Sequence, residues 1–253
     1  GERLASLETG RALADFELVG FSLLYEMSYP DVLAMLALGG VPCARAERGE
    51  RDPLVIAGGH CALHAAPLAP YLDGVFLGEA DEAILEIAAA LLEPTRAERR
   101  AALARVDGMR VHGEPGSARR RIHYGFAADG GARRPVVGHI QTVHDRAGIE
   151  LARGCTHGCR FCQAGFITRP LRHRPLANVI QEAEAALAST GYDELSLVAL
   201  STCDHPQIHA TAAALAARCR PRGISLSIPS TRVDAFDIAI NEPITTGRKT
   251  GIT

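Results

Sequence analysis

Three cysteines at C-x3-C-x2-C spacing, Cys155, Cys159 and Cys162, follow directly after a short apolar run. A structural zinc site takes four protein ligands, usually as two C-x2-C pairs, and no second pair lies nearby. A [4Fe-4S] cluster can take three of its irons from three cysteines and leave the fourth iron open. The odd number of clustered thiols therefore favours iron and sulfur over zinc.

The residues around the cysteines predict a tightly turned loop with apolar cover. Gly154 and Gly158 allow turns that would aim the three sulfurs inward, because glycine tolerates backbone conformations that other residues avoid. Phe161, just before the third cysteine, predicts an apolar wall beside it, and Phe166 and Ile167 extend this cover.

The same segment is rich in positive charge. No carboxylate lies between residues 151 and 174, and the segment carries five arginines: Arg153, Arg160, Arg169, Arg172 and Arg174. We expect their field to favour an anionic reduced cluster and a ligand carboxylate, and also to raise the reduction potential.

The composition bounds the function classes. The 253 residues contain 27 Lys plus Arg and 29 Asp plus Glu, so charge indicates neither nucleic-acid nor membrane binding. The sequence has no run of 18 apolar residues and no charged-then-apolar leader, which predicts a protein without membrane span or export signal. Three clustered and four scattered cysteines are typical of a reducing compartment, so the cytoplasm is the expected location.

The first part of the chain, residues 1–92, alternates apolar strands with helices. Strands are predicted at residues 15–23, 53–59 and 74–78, and helices at residues 30–38 and 81–92. The apolar stripe of the second helix is predicted to contain Ile84, Leu85, Ile87, Ala88 and Leu91. This alternation predicts an α/β domain with a parallel, Rossmann-like sheet whose glycine-rich strand ends could approach a ligand.

Residues 93–141 have weak periodicity, which predicts a connector with a small hairpin. Residues 121–126 alternate like a strand, and residues 129–131 carry a hairpin turn signal. The run Arg119–Arg121 has two interpretations, a nucleic-acid patch or, more commonly for so short a run, a solvated linker face.

Residues 142–253 predict a second α/β domain that begins a (β/α) barrel. The order is a strand at residues 149–152, a helix from Pro175 to Gly191, a strand at residues 195–200, a helix at residues 206–219, and a strand at residues 224–228. Such barrels carry their chemistry on the loops at the carboxyl ends of the strands. The cysteines lie on the first of these loops.

The second and third loops carry polar residues with open roles. Ser201 and Asp204 follow the second strand; Asp204 either contacts a ligand or caps the next helix, and the two roles are compatible. Arg232, after the third strand, either anchors a carboxylate or points outward. Cys203 is either an extra ligand or, more commonly for a lone cysteine, a packing residue.

The cysteine spacing, with Phe161 before the third cysteine, resembles the radical S-adenosylmethionine (SAM) superfamily. The resemblance implies a [4Fe-4S] cluster on Cys155, Cys159 and Cys162, and SAM chelated by the open iron. It also implies reductive cleavage of SAM to a 5′-deoxyadenosyl radical, on an unknown substrate. Four residues are implied to contact the SAM cofactor: Phe161, Ser201, Asp204 and Arg232. An electron donor such as a flavodoxin or a ferredoxin is implied as a partner.

Residues 16–92 look like the cobalamin-binding-type domain found ahead of many radical SAM barrels, with a glycine-rich turn at residues 58–61 and a last strand at residues 73–79. The D-x-H-x-x-G loop whose histidine ligates cobalt is missing, and neither His60 nor His64 stands in that context. Cobalamin therefore stays an open alternative.

Three strings of residues, 138–146, 153–165 and 246–251, resemble one family of radical SAM proteins that has a cobalamin-binding-like front domain and whose reaction is not established. The chain departs from this family at its ends, which predicts a fragment with an incomplete barrel and little turnover alone. The alternative to a radical enzyme is a non-catalytic iron–sulfur or zinc protein whose cluster is structural or redox-sensing.

Overall fold

The computed structural model describes residues 3–129, 131, 134–140, 142–235 and 240. The chain divides into two compact units, one ending at His123 and the other beginning at Tyr124. We call them unit 1 and unit 2. Among the described residues, no helix combines the length and the apolar character that crossing a membrane requires.

Unit 1 is built on a four-stranded sheet in the order β1-β2-β3-β4. The strands are β1 Leu18–Ser22, β2 Leu54–Gly58, β3 Gly74–Phe76 and β4 Met109–Val111. The first three are parallel, with Val19 opposite Val55, and β4 is antiparallel to β3. The predicted α/β class with parallel strands is confirmed.

Helices cover both faces of this sheet. They are α1 Tyr29–Leu38, α2 Ala83–Ala90 and α3 Arg96–Ala104. Successive residues of β2 point to opposite faces, so Val55 lies in a core with Leu36 of α1, while Ile56 lies in a core with Ile87 of α2. This two-sided burial explains the continuous apolar run of β2.

The predicted apolar stripe of α2 is partly wrong. Ile84 and Leu85 are 53% and 73% exposed, whereas Ala83, Ile87 and Ala90 are buried. Seven of the eight residues of α2, all except Glu86, are apolar, so periodicity could not single out one face.

Residues 93–141, which were predicted to be a connector, contain α3 and β4 of unit 1. Thr95 begins α3 with a capping box: its hydroxyl accepts from the Glu98 amide, and the Glu98 carboxylate accepts from the Thr95 amide. The T-x-x-E signal was present in the sequence. The domain bounds 1–92, 93–141 and 142–253 stay predictions.

The hairpin expected in this region does not have the predicted form. Arg121 makes only an isolated bridge with Gly78, and Tyr124–Ala127 is a 3-10 helix. The predicted turn includes Gly130, which lies outside the described residues. Residues 121–126 therefore alternate in polarity without forming a strand, because a strand requires backbone pairing over several consecutive residues.

Unit 2 has a three-stranded parallel sheet in the order β5-β8-β9 and a separate antiparallel pair, β6-β7. The strands are β5 Ala147–Glu150, β6 Ala152–Arg153, β7 Arg172–His173, β8 Glu194–Val198 and β9 Ser225–Ser227. The helices are α4 Ala164–Ile167, α5 Leu176–Thr190 and α6 Ile208–Cys219. The predicted alternation of strands and helices is confirmed, whereas β6 and β7 were not predicted from the sequence.

The core of unit 2 lies between its sheet and the helices α5 and α6. Ile149 and Leu197, which are register partners on β5 and β8, are fully buried there with Val179 of α5. Gly191 ends α5 as predicted, in the left-handed conformation at a φ of 73°. Because β5, β8 and β9 are parallel, their carboxyl ends lie at one edge of the sheet.

Candidate metal and cofactor site

The cysteine motif lies on a loop closed at its base by β6 and β7. Ala152 pairs with His173, and Arg153 pairs with Arg172. We call these two strands the neck, and residues 154–171 between them the cysteine loop. Because only Leu151 separates Glu150, the last residue of β5, from the start of β6, the neck fixes the cysteine loop at the carboxyl edge of the parallel sheet.

Two glycines allow the cysteine loop to pack closely. Gly154 has a φ of +91°, and a Cβ there would lie 2.4 Å from the carbonyl oxygen of Pro170. A Cβ on Gly165 would lie 2.4 Å from the carbonyl oxygen of His157. Gly158, which was also expected to make a tight turn, has open space around it and is not a positive-φ glycine.

Cys155, Cys159 and Cys162 are free thiols with partial exposure. Within the described part of the chain, no three His, Cys, Asp or Glu side chains converge closely enough to hold a metal ion. The donor set of three thiols on one loop still fits a cluster that takes three protein ligands. The assignment of these cysteines as metal ligands therefore stays a prediction.

The two aromatic residues do not form the apolar cover that was expected beside the cysteines. Phe161 is 92% exposed, and Phe166 is 58% exposed with the guanidinium of Arg169 at 5.4 Å from its ring centroid. Both aromatic rings point away from the core of unit 2, so a contact between Phe161 and a cofactor stays a prediction.

The positive field predicted around the cysteine loop is partly neutralised. Arg153 makes two hydrogen bonds to the Glu150 carboxylate, at 2.9 and 3.0 Å. Arg174 is buried and pairs with the buried carboxylate of Glu182. Both glutamates lie outside the carboxylate-free segment of the sequence, and the fold brings them to it.

The loops after β8 and β9 meet the cysteine loop at His157. The Nε2 atom of His157 lies 2.5 Å from the Asp204 carboxylate, and the His157 ring also contacts the guanidinium of Arg232. Arg232 in turn pairs with Asp234. The fold thus connects the two charged candidates, Asp204 and Arg232, through a residue that stands between two of the cysteines.

Asp204 is not the cap of the helix that follows it. It ends a 3-10 helix, Thr202–Asp204, directly after Ser201, whereas α6 begins at Ile208 without a side-chain cap bond. Burial would raise the pKa of Asp204, but the Ser201 hydroxyl, the His157 ring and the Arg232 charge together lower it. The carboxylate therefore stays ionised and can accept hydrogen bonds from a cationic group.

Cys203 packs against the core of unit 2, in agreement with the packing interpretation. Burial, reinforced by the neighbouring charge of Asp204, raises the pKa of its thiol. A raised pKa keeps the thiol protonated, which disfavours metal binding.

Neither His157 nor the buried His205 was predicted from the sequence to be a site residue. The position of His157 inside the cysteine motif was a signal that could have identified it. For His205, Nδ1 accepts from the Gln207 amide and Nε2 lies 3.1 Å from the Arg174 carbonyl oxygen. Its ring thereby links the loop after β8 to the residue that follows the neck.

Two family models match the chain. "Radical SAM proteins, N-terminal" matches residues 1–112, and "Radical SAM superfamily" matches residues 149–244. The ribosomal protein uS12 methylthiotransferase RimO of Desulfotalea psychrophila is 41% identical over 54 residues, which are 21% of this chain and 12% of that protein. RimO of Moorella thermoacetica is 43% identical over 54 residues, which are again 21% of this chain and 12% of that protein.

Two solved structures share the fold. The methyltransferase TsrM from Kitasatospora setae, with tryptophan and a SAM analog bound, has a TM-score of 0.53 and 16% identity, covering 90% of this chain and 46% of that one. The cobalamin-dependent enzyme OxsB, with aqua-cobalamin and SAM bound, has a TM-score of 0.58 and 12% identity, covering 85% of this chain and 30% of that one.

The chain spans less than half of either solved protein, and its aligned segments span about an eighth of the RimO proteins. The family matches nevertheless extend over both units, and the cysteine motif stands directly after the first strand of the second sheet. The chain therefore belongs to the radical SAM superfamily, with the matched N-terminal region of radical SAM proteins ahead of the radical SAM domain.

Proposed function

We propose that this chain binds the cluster and the cofactor of a radical SAM enzyme. The observation that carries the proposal is the meeting of three loops at the carboxyl edge of one parallel sheet. One loop holds the three cysteines, and the others hold Asp204 and Arg232, which His157 links. Thiolates, a carboxylate and a guanidinium at one edge are the groups that a cluster and an amino-acid ligand require.

Cys155, Cys159 and Cys162 would hold three irons of a [4Fe-4S] cluster. When bound, such a cluster supplies one electron to SAM, whose cleavage gives methionine and a 5′-deoxyadenosyl radical. Since the three thiols lie on one loop with a short neck, the chain can adjust their side chains without moving the sheet. Their partial exposure leaves them accessible to iron and sulfide.

Asp204 and Arg232 have the charges that match the methionine end of SAM. The ionised carboxylate of Asp204 can accept from the amino group, and the guanidinium of Arg232 can donate to the carboxylate. Ser201 stands next to Asp204 and lends a hydroxyl. Phe161, exposed on the cysteine loop, can fold over a bound ligand as an apolar cover.

We extend the proposal to unit 1 as a candidate corrinoid-binding domain. The solved relatives TsrM and OxsB are described with cobalamin bound, and their similarity to this chain concerns the fold. Gly59 and Gly78, which follow β2 and β3, have φ angles of +92° and +122°, and a Cβ there would lie 2.6 Å from the Leu23 carbonyl oxygen and 2.1 Å from that of Arg121, so both glycines serve close packing within unit 1. His60 and His64 are exposed and stand outside a D-x-H-x-x-G loop, so the domain would bind cobalamin without a histidine ligand.

Three further predictions belong to this proposal. The sheet β5-β8-β9 begins a (β/α) barrel, the electron comes from a donor such as a flavodoxin or a ferredoxin, and the enzyme works in the cytoplasm. The strand–helix–strand order of unit 2 supports the first. The free state of all seven cysteines agrees with the third.

Anaerobic reconstitution with iron and sulfide, followed by dithionite and SAM, tests the proposal. We expect a [4Fe-4S] spectrum, a shift of its electron paramagnetic resonance (EPR) signal on addition of SAM, and release of 5′-deoxyadenosine with methionine. A cluster whose EPR signal does not respond to SAM would instead support the structural or redox-sensing role. One tightly bound zinc ion that survives replacement of Cys155 by alanine would contradict both.

A further inference from the structure

The neck of the cysteine loop rests on a buried aromatic ring. Phe126 is only 1% exposed, although it lies in a short 3-10 helix, Tyr124–Ala127. The guanidinium carbons of Arg153 and Arg174 each lie 4.6 Å from its ring centroid, and that of Arg172 lies 5.9 Å away. One ring therefore contacts three arginines that belong to the neck or directly follow it.

This arrangement answers an electrostatic problem within the neck. Arg153 and Arg172 are direct partners across the antiparallel pair, and like charges in that relation repel. The negative face of an aromatic ring attracts guanidinium groups, most strongly where water is excluded. Glu150 adds a carboxylate to Arg153, and Glu182 adds one to Arg174. Phe126 and these carboxylates together make the pairing of two cationic strands favourable.

Phe126 is itself anchored to the core of unit 2. Asn178, in the first turn of α5, donates from Nδ2 to the carbonyl oxygen of Ala127 at 3.0 Å. The next residue, Val179, is fully buried in the core against the parallel sheet. Rigid contacts thus run from the sheet through α5 and Phe126 to the neck.

We propose that Phe126 is a positioning residue for the cysteine loop. It holds Arg153 opposite Arg172, and this register decides where the loop leaves the sheet and which way its residues face. A slip of one residue would turn every side chain of a strand to the other face. The positioning concerns the loop itself, and its consequence for a cluster rests on the proposed function.

Limited proteolysis of the 253-residue chain tests the positioning without any metal. Trypsin can cut after Arg160, which is exposed in the middle of the cysteine loop. In Phe126→Leu, which keeps an apolar side chain and removes the ring, we expect cleavage after Arg160 to be about tenfold faster, because loosening the neck opens the loop. Phe16→Leu is the matched control, since it removes a Phe–Arg pair at the same 4.6 Å distance in unit 1.

Cluster assembly gives the second readout. After reconstitution, Phe126→Leu should hold less iron per chain than wild type and show a broadened EPR signal, while Phe16→Leu matches wild type. Equal cleavage rates and equal iron in Phe126→Leu and wild type would overturn the positioning role. Faster cleavage in Phe126→Leu together with no cluster in wild type would uphold the positioning and reject the proposed function.

A variant that keeps the buried ring guards against a folding defect. If circular dichroism shows that Phe126→Leu has lost helix, Asn178→Ala takes its place, because Asn178 is only partly buried and its side chain anchors the segment that carries Phe126 through Ala127. Its loss removes that hydrogen bond and should also speed cleavage after Arg160, by a smaller factor. An unchanged rate in Asn178→Ala would then count against the proposal.

Discussion

The ring of His157 contacts the carboxylate of Asp204, a residue 47 positions further along the chain. His157 stands between Cys155 and Cys159, so this contact ties the middle of the cysteine motif to the carboxyl end of β8. A ligand that binds the cysteines would therefore lie within reach of an ionised carboxylate. This relationship motivates the first prediction.

Asp204→Asn should weaken SAM binding by about tenfold, because the amide cannot offer a charged acceptor to the amino group of the cofactor. Iron content should not change, since Asp204 is not a proposed cluster ligand. Equilibrium dialysis of reconstituted protein with labelled SAM measures the first quantity. Glu184→Gln, at a surface ion pair with Arg218, is the control carboxylate. Unchanged SAM affinity in Asp204→Asn would contradict the assignment.

Replacing Cys155, Cys159 or Cys162 by alanine should abolish the [4Fe-4S] cluster, because the remaining two thiolates cannot hold a four-iron cluster. Cys203→Ala should leave iron and sulfide content unchanged, since this thiol packs against the core. Iron and sulfide assays after anaerobic reconstitution make the comparison. A full cluster in any one of the three alanine variants would remove that cysteine from the ligand set.

Asp73→Asn should destabilise unit 1 by about 3–5 kcal/mol, because it leaves the buried Arg48 and the partly buried Arg96 and Arg100 without their shared carboxylate. Asp73 accepts from Arg48 at 2.9 Å, from Arg96 at 2.8 Å and from Arg100 at 2.9 Å. Urea unfolding followed by circular dichroism measures the change. Glu47→Gln, an exposed position, should change the free energy of unfolding by less than about 0.5 kcal/mol. Similar results for both variants would disprove the role of this ion cluster.

Acidification should destabilise unit 2 through His205. Burial lowers the pKa of His205, although the hydrogen bond to the Arg174 carbonyl oxygen acts in the opposite direction. The Nδ1 atom of the ring already accepts a hydrogen bond from the Gln207 amide. The unfolded chain therefore takes up a proton more readily than the folded one, so stability is full above the ordinary histidine pKa of about 6.5 and falls as pH decreases below it.

Thermal unfolding between pH 7.5 and 5.5 measures this effect. The midpoint should fall with pH in wild type, and the fall should be shallower in His205→Gln, which has no titrating ring. A slope that is the same in both proteins would exclude His205 as the responsible group.

Local signals in the sequence were sufficient for the parallel strands, for most of the helices and for the cysteine motif. The spacing of Cys155, Cys159 and Cys162 spans eight residues, a distance over which backbone geometry alone keeps the side chains on one loop. Apolar periodicity identified α5 and α6, and Gly191 marked the end of α5 because it adopts a left-handed conformation there. Such features depend on neighbours in the chain, which the sequence displays directly.

Contacts between distant residues were decided by the tertiary structure. The stacking of Phe126 under Arg153, the link from His157 to Asp204 and Arg232, and the ion cluster of Asp73 each join separate segments. Many arginines and carboxylates in this sequence could have paired, and their charges are chemically equivalent. Strand order and register select among these pairs by fixing which segments lie side by side, and no local pattern carries that information.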